Sequence, residues 1–184
     1  MKQFIFIITL LSSFLLHSSE CHHSLVRATA EKYELQELND EYLGEKDGNS
    51  ALMNKLVGEK TRVVYLDEKQ RAEYEVKAVD GRLYYIDGDY LVGKVDPNYP
   101  FSYDPWAIFV MDRNGRIYIS FNQSVGRFQH SSLVAGEKVA AAGMIHIQDG
   151  VISSMTDRSG HYRPKKIHMQ QFQERLVELG YSFD

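Results

Sequence analysis

From residue 74 onward, apolar and polar residues alternate with a period of two, which predicts β-strands. Pairs of these segments flank three short turn sequences: Asp80-Gly81, Asn114-Gly115 and Asp149-Gly150. Such dipeptides supply the positive φ angles that a tight hairpin needs. The sequence therefore predicts a mainly antiparallel sheet of three hairpins, with strands at 74–79, 82–86, 107–112, 116–120, 139–148 and 151–155.

Helical periodicity dominates both ends of this sheet region. Residues 25–43 space their apolar side chains as a helix does, among many charged residues. Ser50 is a candidate N-cap for a second helix ending near Val57, and Asp67 for a third over residues 68–73. An amphipathic helix over 166–179 is followed by a glycine stop. The order helices, sheet, helix predicts an α+β fold.

The chain divides into three predicted segments. Residues 1–21 have a basic start, an apolar stretch and a polar exit, which is the layout of a secretory signal peptide. Residues 22–49 are a predicted helical N-terminal arm, and 50–184 are a single α+β domain. We expect residues 1–21 to be removed, the product to be secreted or periplasmic, and no membrane association afterwards. A retained membrane anchor and lipidation of Cys21 are the alternatives.

Composition and charge narrow the classes of partner. The chain is 43% hydrophobic and 25% charged, with a formal net charge of −4. Its one basic cluster lies at residues 163–166. Because phosphate backbones attract broad basic surfaces, no nucleic-acid partner is expected.

Two short segments concentrate the candidate chemistry: Phe128-Gln129-His130-Ser131-Ser132 and Ser159-Gly160-His161-Tyr162-Arg163-Pro164. Each follows a strand-like stretch and enters an irregular segment. Binding and catalytic residues are concentrated in such segments when a rigid scaffold holds them. If the hairpin at residues 149–150 pairs in register, the two histidines should lie close together.

An ordered series of blocks carries a family resemblance. Residues 65–71, 74–76 and 80–83 form the first group, and 106–110, 128–136, 142–143, 149–151 and 159–164 follow in sequence. Over roughly residues 50–184 the chain resembles the module of the plant IQ-motif calmodulin-binding (IQM) family. Similar modules occur in fungal proteins and in bacterial secreted or toxin-like proteins. The resemblance implies a domain with a pocket, and no agreed reaction.

Two departures from the family pattern limit what the resemblance implies. Ile147-Gln148 is followed by a hairpin turn and lacks the basic residues of an IQ helix. Calmodulin binding is therefore not expected, and a host or target protein is the expected partner. Glu137 stands where the family has a second glycine.

Two alternatives are serine hydrolysis and metal binding. His130 and Ser132 would share one face of a strand and form a base and nucleophile pair, but no glycine elbow surrounds the serine. His130 and His161 with Asp104 or Asp157 would make a metal site, yet the spacing matches no metal motif. His146 is expected to occupy one face of the sheet as a packed or solvated histidine, and no metal is expected.

A nucleotide site is the preferred functional hypothesis. We expect a secreted effector or toxin-type domain that transfers ADP-ribose from NAD, because such sites need an aromatic ring, polar ribose contacts and a carboxylate. The proposed catalytic residues are His130, Ser132, His161 and Glu137. The proposed cofactor-binding residues are Ser131, Gly136, Tyr118, Tyr162 and Arg163.

The alternative is a non-enzymatic interaction module in which the same motifs are structural. Their side chains would then satisfy backbone groups and hold loops in place, since an unpaired buried polar group is costly. The two hypotheses differ in geometry. A functional site needs these residues in an open cleft, whereas a structural role needs them buried and bonded to one another.

Overall fold

The computed structural model describes residues 31–87, 90–94 and 106–183. The predicted signal peptide therefore lies outside the described residues, as does the first part of the predicted arm. Within the described ranges, no helix combines the length and apolar character needed to cross a bilayer. The fold is α+β, as predicted.

In the part of the chain that the structure describes, six antiparallel strands form two sheets. Strands β1 (Val76–Val79) and β2 (Arg82–Tyr85) pair as a two-stranded sheet. The larger sheet has the order β4-β3-β5-β6. Its strands are β3 (Trp106–Asp112), β4 (Ile117–Ser120), β5 (Val139–Gln148) and β6 (Val151–Thr156).

The three predicted hairpin turns are confirmed. Asp80-Gly81 joins β1 to β2, Asn114-Gly115 lies between β3 and β4, and Asp149-Gly150 joins β5 to β6. The prediction of one sheet for all three is wrong. The first hairpin stands apart and contacts the larger sheet through hydrogen bonds such as that from the Leu83 amide to the Gly150 carbonyl, 3.0 Å. Alternation identifies strands, but it does not state which strands pair.

Four α-helices within the described ranges flank the sheets. Helix α1 (Ala51–Val57) is capped by the Ser50 hydroxyl, and α2 (Glu68–Arg71) by the Asp67 carboxylate, both as predicted. Helix α4 (Lys166–Glu178) is the long C-terminal helix. Helix α3 (His130–Leu133) is a single turn that the sequence analysis did not predict.

The segment before α1 is not the predicted helical arm in its described part. Gln36 makes a backbone bridge to Val139, and two 3₁₀ turns follow at Asp40–Tyr42 and Glu45–Asp47. Leu35 packs against one hydrophobic cluster of the protein and Leu38 against the other. One helical stripe cannot serve two clusters, so tertiary packing overrides the local periodicity.

Strands β3 and β4 of the larger sheet are buried on both faces, whereas the edge strand β6 is partly exposed. Residues alternate along β3, so Phe109 contributes to the cluster that includes α4, and Ile108 to the cluster beside α3. The rings of Phe109 and Phe172 stack with centroids 3.9 Å apart. The second face packs against Leu133 and Tyr162, which brings both sequence motifs onto the same side of the sheet.

Close packing in β5 requires a glycine. A Cβ atom at Gly143 would lie 2.1 Å from the carbonyl oxygen of Thr156 and 2.8 Å from the Phe109 ring. Because neither neighbour is a flexible chain end, any larger residue would push the strands apart. The Gly143 carbonyl is the acceptor for His130, so this close approach also sets the position of the first motif.

Candidate functional site

Helix α3 orients the side chains of the first motif. The motif was expected to end a strand, but Phe128 makes one isolated bridge and the helix begins at His130. The expectation that His130 and Ser132 share a strand face is therefore wrong. In the single turn, His130 contacts β5, Ser131 contacts Glu45, and the Ser132 hydroxyl accepts from the Gln129 amide at 3.0 Å.

Glu45 is the centre of a buried polar cluster, which we call the Glu45 cluster: Glu45, Tyr65, Ser131 and His161. The Glu45 side chain is fully buried. One carboxyl oxygen accepts from Ser131 Oγ at 2.5 Å and from the Tyr65 hydroxyl at 3.1 Å. The other accepts from His161 Nε2 at 3.0 Å. Buried polar groups are stable when each is hydrogen-bonded, and here three donors satisfy one carboxyl group.

Environment shifts the pKa of Tyr65 in this cluster. Burial is the main cause of its increase, and the neighbouring Glu45 carboxylate adds to it. The phenol therefore keeps its proton at neutral pH and acts as a donor. In its hydrogen bond with Glu45, the Tyr65 hydroxyl is therefore the donor and the carboxyl oxygen is the acceptor.

His161 is held on three sides. Its ring stacks on Tyr42, with centroids 3.9 Å apart and planes inclined by 26°. Its Nε2 bonds Glu45, and its carbonyl accepts from the Asn39 amide at 2.7 Å. The ring of His130 lies 6.5 Å away. The predicted proximity of the two histidines is thus confirmed.

His130 is buried and neutral. Its Nε2 lies 2.9 Å from the Gly143 carbonyl oxygen. Burial lowers the pKa of His130 to about 4, an effect that the bond to Gly143 partly offsets and nearby His161 reinforces. The second ring nitrogen, Nδ1, is buried and has no hydrogen-bond partner among the described residues. It is the one nitrogen of the two motif histidines with this property.

Glu137 and Gly136 lie in the turn after α3 and make different contacts. The Glu137 side chain is mostly exposed and lies 3.8 Å from Arg71. Its carbonyl accepts from the Tyr162 hydroxyl at 2.9 Å. Gly136 has φ of 75°, and a Cβ there would approach the Tyr65 hydroxyl to 2.7 Å. The Glu137 carboxylate is therefore not a member of the Glu45 cluster.

The remaining predicted site residues have structural contacts. Tyr118 is fully buried, and its hydroxyl lies 3.4 Å from Asp112. Tyr162 is fully buried as well, and burial raises its pKa. Arg163 is exposed and forms an ion pair with Glu41. The structure thus brings His130, Ser131 and His161 together, and it places Tyr118 and Glu137 elsewhere.

An open groove of about 660 Å³ runs beside the cluster. His130 and His161 form part of its wall, and Leu56 and Val125 are exposed at 60% and 62% on its rim. The other lining residues are Tyr42, Met53, Gln129, Met144, Asp157, Arg158, Ser159, Gly160, Arg163 and Pro164. Residues of both sequence motifs thus line the groove.

The metal alternatives have little support in the described part of the chain. No group of three or more His, Cys, Asp or Glu side chains is arranged there to hold an ion. Asp104 lies outside the described residues, whereas Asp157 lines the groove. His146 contacts Ser153 at 2.5 Å and the edge of the Trp106 ring.

Sequence reasoning missed the centre of the cluster. Glu45 lies in a segment that was interpreted as a charged arm, and Tyr65 belongs to a block quoted only for the resemblance. Glu45 is separated from Ser131 by 86 residues and from His161 by 116. No local pattern marks such a residue. The two glycines that flank its turn, Gly44 and Gly48, were a weak sequence signal of an ordered segment, and both have positive φ in the structure.

Fold and site together define a small α+β domain with a closed polar cluster beside an open groove. A protein-family model for the IQ motif-containing protein middle domain matches residues 70–169. That match covers more than half of the 184 residues. The chain belongs to this family.

Curated relatives from Arabidopsis thaliana agree with the family. The chain is 32% identical to the IQ domain-containing protein IQM1 over 133 residues, which is 72% of the chain and 26% of that protein. It is 34% identical to IQM5 over 129 residues, 68% of the chain and 24% of that protein. The chain thus spans about a quarter of the length of these relatives. No solved structure matches it.

These comparisons overturn the preferred functional hypothesis. The expectation of a secreted effector or toxin-type domain with a nucleotide-binding, ADP-ribosyl-transferring site is wrong. The matches are to IQ domain-containing plant proteins and to their middle domain. The alternative, an interaction module, agrees better with them. The predicted secreted or periplasmic location stays a prediction, because it depends on residues outside the described ranges.

Proposed function

We propose that this domain is a non-enzymatic protein-interaction module whose His, Ser and Tyr motifs build the fold and whose groove accepts a segment of a partner protein. The observation that carries the proposal is the Glu45 cluster. Its carboxyl group is fully buried, and Ser131, His161 and Tyr65 all donate to it. Buried groups that are hydrogen-bonded to one another in this way stabilise the fold.

The serine geometry supports the same proposal. A nucleophilic serine needs access to its substrate as well as a base within hydrogen-bond reach of its hydroxyl. Ser131 Oγ donates to Glu45 at 2.5 Å, and Ser132 Oγ accepts from a backbone amide. Both residues are fully buried. Their hydroxyls therefore serve the ends of α3 and the contact between α3 and the N-terminal segment.

The groove and its rim form the surface that we propose binds the partner segment. Leu56 and Val125 have aliphatic side chains that are each more than half exposed. They lie on two different segments of the chain, and both line the groove. Met53 and Met144 line it, and methionine adapts its shape to varied apolar partners. Asp157 and Arg158 add opposite charges to the wall. We therefore assign as occupant a short protein segment with one apolar side chain flanked by polar groups.

A displayed peptide library tests this assignment. Peptides are selected on the full 184-residue chain and then measured against two variants, Val125→Asp and Val177→Asp. Both valines are similarly exposed, at 62% and 58%, but Val177 lies on α4 and does not line this groove. Selected peptides should bind the wild type and Val177→Asp and lose at least tenfold in affinity for Val125→Asp, since a buried carboxylate opposes an apolar contact.

Two results would overturn the proposal. The first is the selection of no peptide above background. The second is a set of peptides whose affinity for the Val125→Asp variant equals that for Val177→Asp. Circular dichroism and thermal unfolding of both variants provide the folding control, because each substitution lies on the surface.

A further inference from the structure

We propose that a second pocket, formed by residues 59–64 and Arg127, binds the phosphoryl group of a phosphorylated side chain on a partner protein. Its volume is about 290 Å³, and its lining residues are Glu59, Lys60, Thr61, Arg62, Val64 and Arg127. We call it the basic pocket. It shares no lining residue with the groove. The inference therefore goes beyond the proposed groove function and does not rest on it.

The fold brings the cations of the basic pocket together. Residues 60–62 lie shortly after α1, whereas Arg127 lies far along the chain, just before α3. The Val64 amide donates to the Arg127 carbonyl at 2.8 Å, which aligns the two segments. They are also in close contact at Gly126, where a Cβ atom would lie 3.0 Å from the Thr61 hydroxyl oxygen. Hydrogen bonding and packing thus fix the two backbone segments that carry the three charged side chains.

The three cations of the basic pocket have no carboxylate partner among the residues that the structure describes, and all three are exposed. Other exposed cations do have one. Lys138 pairs with Glu37 at 2.6 Å, and Arg163 pairs with Glu41. The chain has 25 acidic residues and 21 basic ones, so composition alone does not explain a group of unpaired cations. An anion from outside would offset their mutual repulsion.

Charge and donor geometry favour a phosphoryl group over other anions. Three cations and the Glu59 carboxylate give the lining a formal charge of +2. A phosphorylated side chain carries about −1.5 to −2 at neutral pH, and its three terminal oxygens can accept from three different cations. Guanidinium groups bind phosphate through two parallel hydrogen bonds. A single carboxylate brings half the charge and only two oxygens.

An aliphatic surface beside the charges indicates where the phosphoryl group comes from. Val64 is 51% exposed and lines the same pocket. A free phosphate ion has no apolar atoms to cover it, whereas a side chain next to a phosphorylated residue can bury it. Nucleic acids engage broad basic surfaces, and this chain has a net charge of −4. The occupant is therefore a protein segment with an apolar residue beside a phosphoserine or phosphothreonine.

Three matched peptide libraries test the assignment. Each has degenerate flanking positions around a fixed central residue, which is phosphoserine, serine or aspartate. Peptides are selected from the phosphoserine library on the full 184-residue chain. Their affinities are then measured with each of the three central residues, by fluorescence anisotropy at about 0.15 M salt. We expect the phosphoserine peptides to bind about tenfold more tightly than the serine and aspartate versions. Inorganic phosphate should displace them only at much higher concentration.

Matched substitutions locate the binding site. Arg127→Gln removes one guanidinium group from the basic pocket. Arg113→Gln removes one from the exposed turn between β3 and β4, outside the pocket, and changes the net charge equally. The first should weaken phosphoserine peptides about tenfold, and the second should leave their affinity unchanged. Arg127→Lys should cause a smaller loss than Arg127→Gln, since it keeps the charge without the paired donors. Thermal unfolding provides the folding control.

Several results would overturn the inference. Equal affinity for the phosphoserine and serine peptides would exclude phosphoryl recognition, and equal affinity for the aspartate peptides would indicate a site for any acidic segment. Inorganic phosphate that binds as tightly as the peptides would make this an ion site. Equally tight binding of single-stranded DNA, or an equal loss in Arg113→Gln, would indicate unspecific attraction of anions. The groove selection uses unphosphorylated peptides, so failure of either proposal leaves the other standing.

Discussion

Two buried carboxyl side chains, Asp112 and Glu45, organise this domain in different ways. Asp112 accepts from the Asn114 and Arg116 amides at 2.8 and 2.9 Å and pairs with the Arg116 guanidinium at 2.8 Å. These partners lie two to four residues away. Glu45 accepts from side chains 20, 86 and 116 residues away. One carboxyl group therefore shapes a hairpin turn, and the other joins separate parts of the chain.

The two sites also differ in access to water. Arg116 has a side chain that is 36% exposed, so the Asp112 network has one side in solvent. Glu45 is fully buried, and its partners Ser131 and His161 are buried as well. An unpaired polar group is far more costly when water cannot reach it. The Glu45 cluster should therefore contribute more to stability, and four measurements test this difference.

The largest expected effect belongs to Glu45→Ala. We expect it to lower the free energy of unfolding by about 3–5 kcal/mol, because the buried Ser131 and His161 and the half-buried Tyr65 all lose their acceptor. The matched change Asp112→Ala should cost about 1–3 kcal/mol, since Arg116 can turn to solvent. Urea unfolding of both variants measures the difference. An Asp112 variant less stable than the Glu45 variant would contradict the comparison.

Acid should destabilise the fold through protonation of His130, which lies beside the Glu45 cluster. The folded pKa of about 4 lies below the ordinary value of 6.5, so between these values the unfolded chain binds a proton that the folded chain does not. Stability is complete above pH 6.5 and falls as pH drops toward 4, by about 3 kcal/mol. Urea midpoints across this range measure the slope. His130→Gln should have a shallower slope, and an unchanged slope would remove His130 as its cause.

Two tyrosine hydroxyls offer a finer comparison. Tyr65 donates to Glu45 at 3.1 Å, whereas the Tyr118 hydroxyl lies 3.4 Å from Asp112. We expect Tyr65→Phe to lower the free energy of unfolding by about 1.5–3 kcal/mol and Tyr118→Phe by about 1 kcal/mol or less. Chemical unfolding monitored by fluorescence resolves the two values. Equal losses would mean that the shorter distance from Tyr65 to Glu45 does not make that hydrogen bond the stronger one.

The smallest effect is expected at an exposed carboxylate. Glu137 is mostly exposed and 3.8 Å from Arg71, a distance and setting in which ion pairs contribute little. Glu137→Gln should change the free energy of unfolding by about 0.5 kcal/mol or less. The same urea experiment provides the value. A loss comparable to that of the Glu45 variant would place Glu137 in the buried network.

The comparison also explains what the sequence could predict. The hairpins at residues 80–81, 114–115 and 149–150 were correctly predicted because their turn signals are local. Asp112 belongs to this class, since its partners lie within one turn. Helix α3 was mistaken for a strand end because a four-residue helix is too short to display helical periodicity. Glu45 could not be found, because no spacing rule connects it with Ser131 or His161.

The proximity of the two histidines was predictable for a specific reason. The β5–β6 hairpin has a clear turn signal, so the path of the chain back toward the start of β5 followed from local sequence. Gly143, in the middle of β5 and next to the end of β6, bonds His130, and the loop after β6 carries His161. The predicted topology thus placed the two motifs close together, although their individual contacts were not predicted. The partner of the His161 ring is Glu45, which topology did not locate.

The long sequence separation within the Glu45 cluster has a consequence for synthesis. A ribosome releases residues in order, so Glu45 and Tyr65 emerge well before Ser131, and His161 emerges later still. Until then the carboxyl group of Glu45 must remain hydrated, and the segment around it cannot take its final position. Contacts between distant residues form late because closing long loops costs entropy. A nascent chain that ends before His161 should be sensitive to proteases around Glu45, and it should become resistant once residues 159–164 are clear of the exit tunnel.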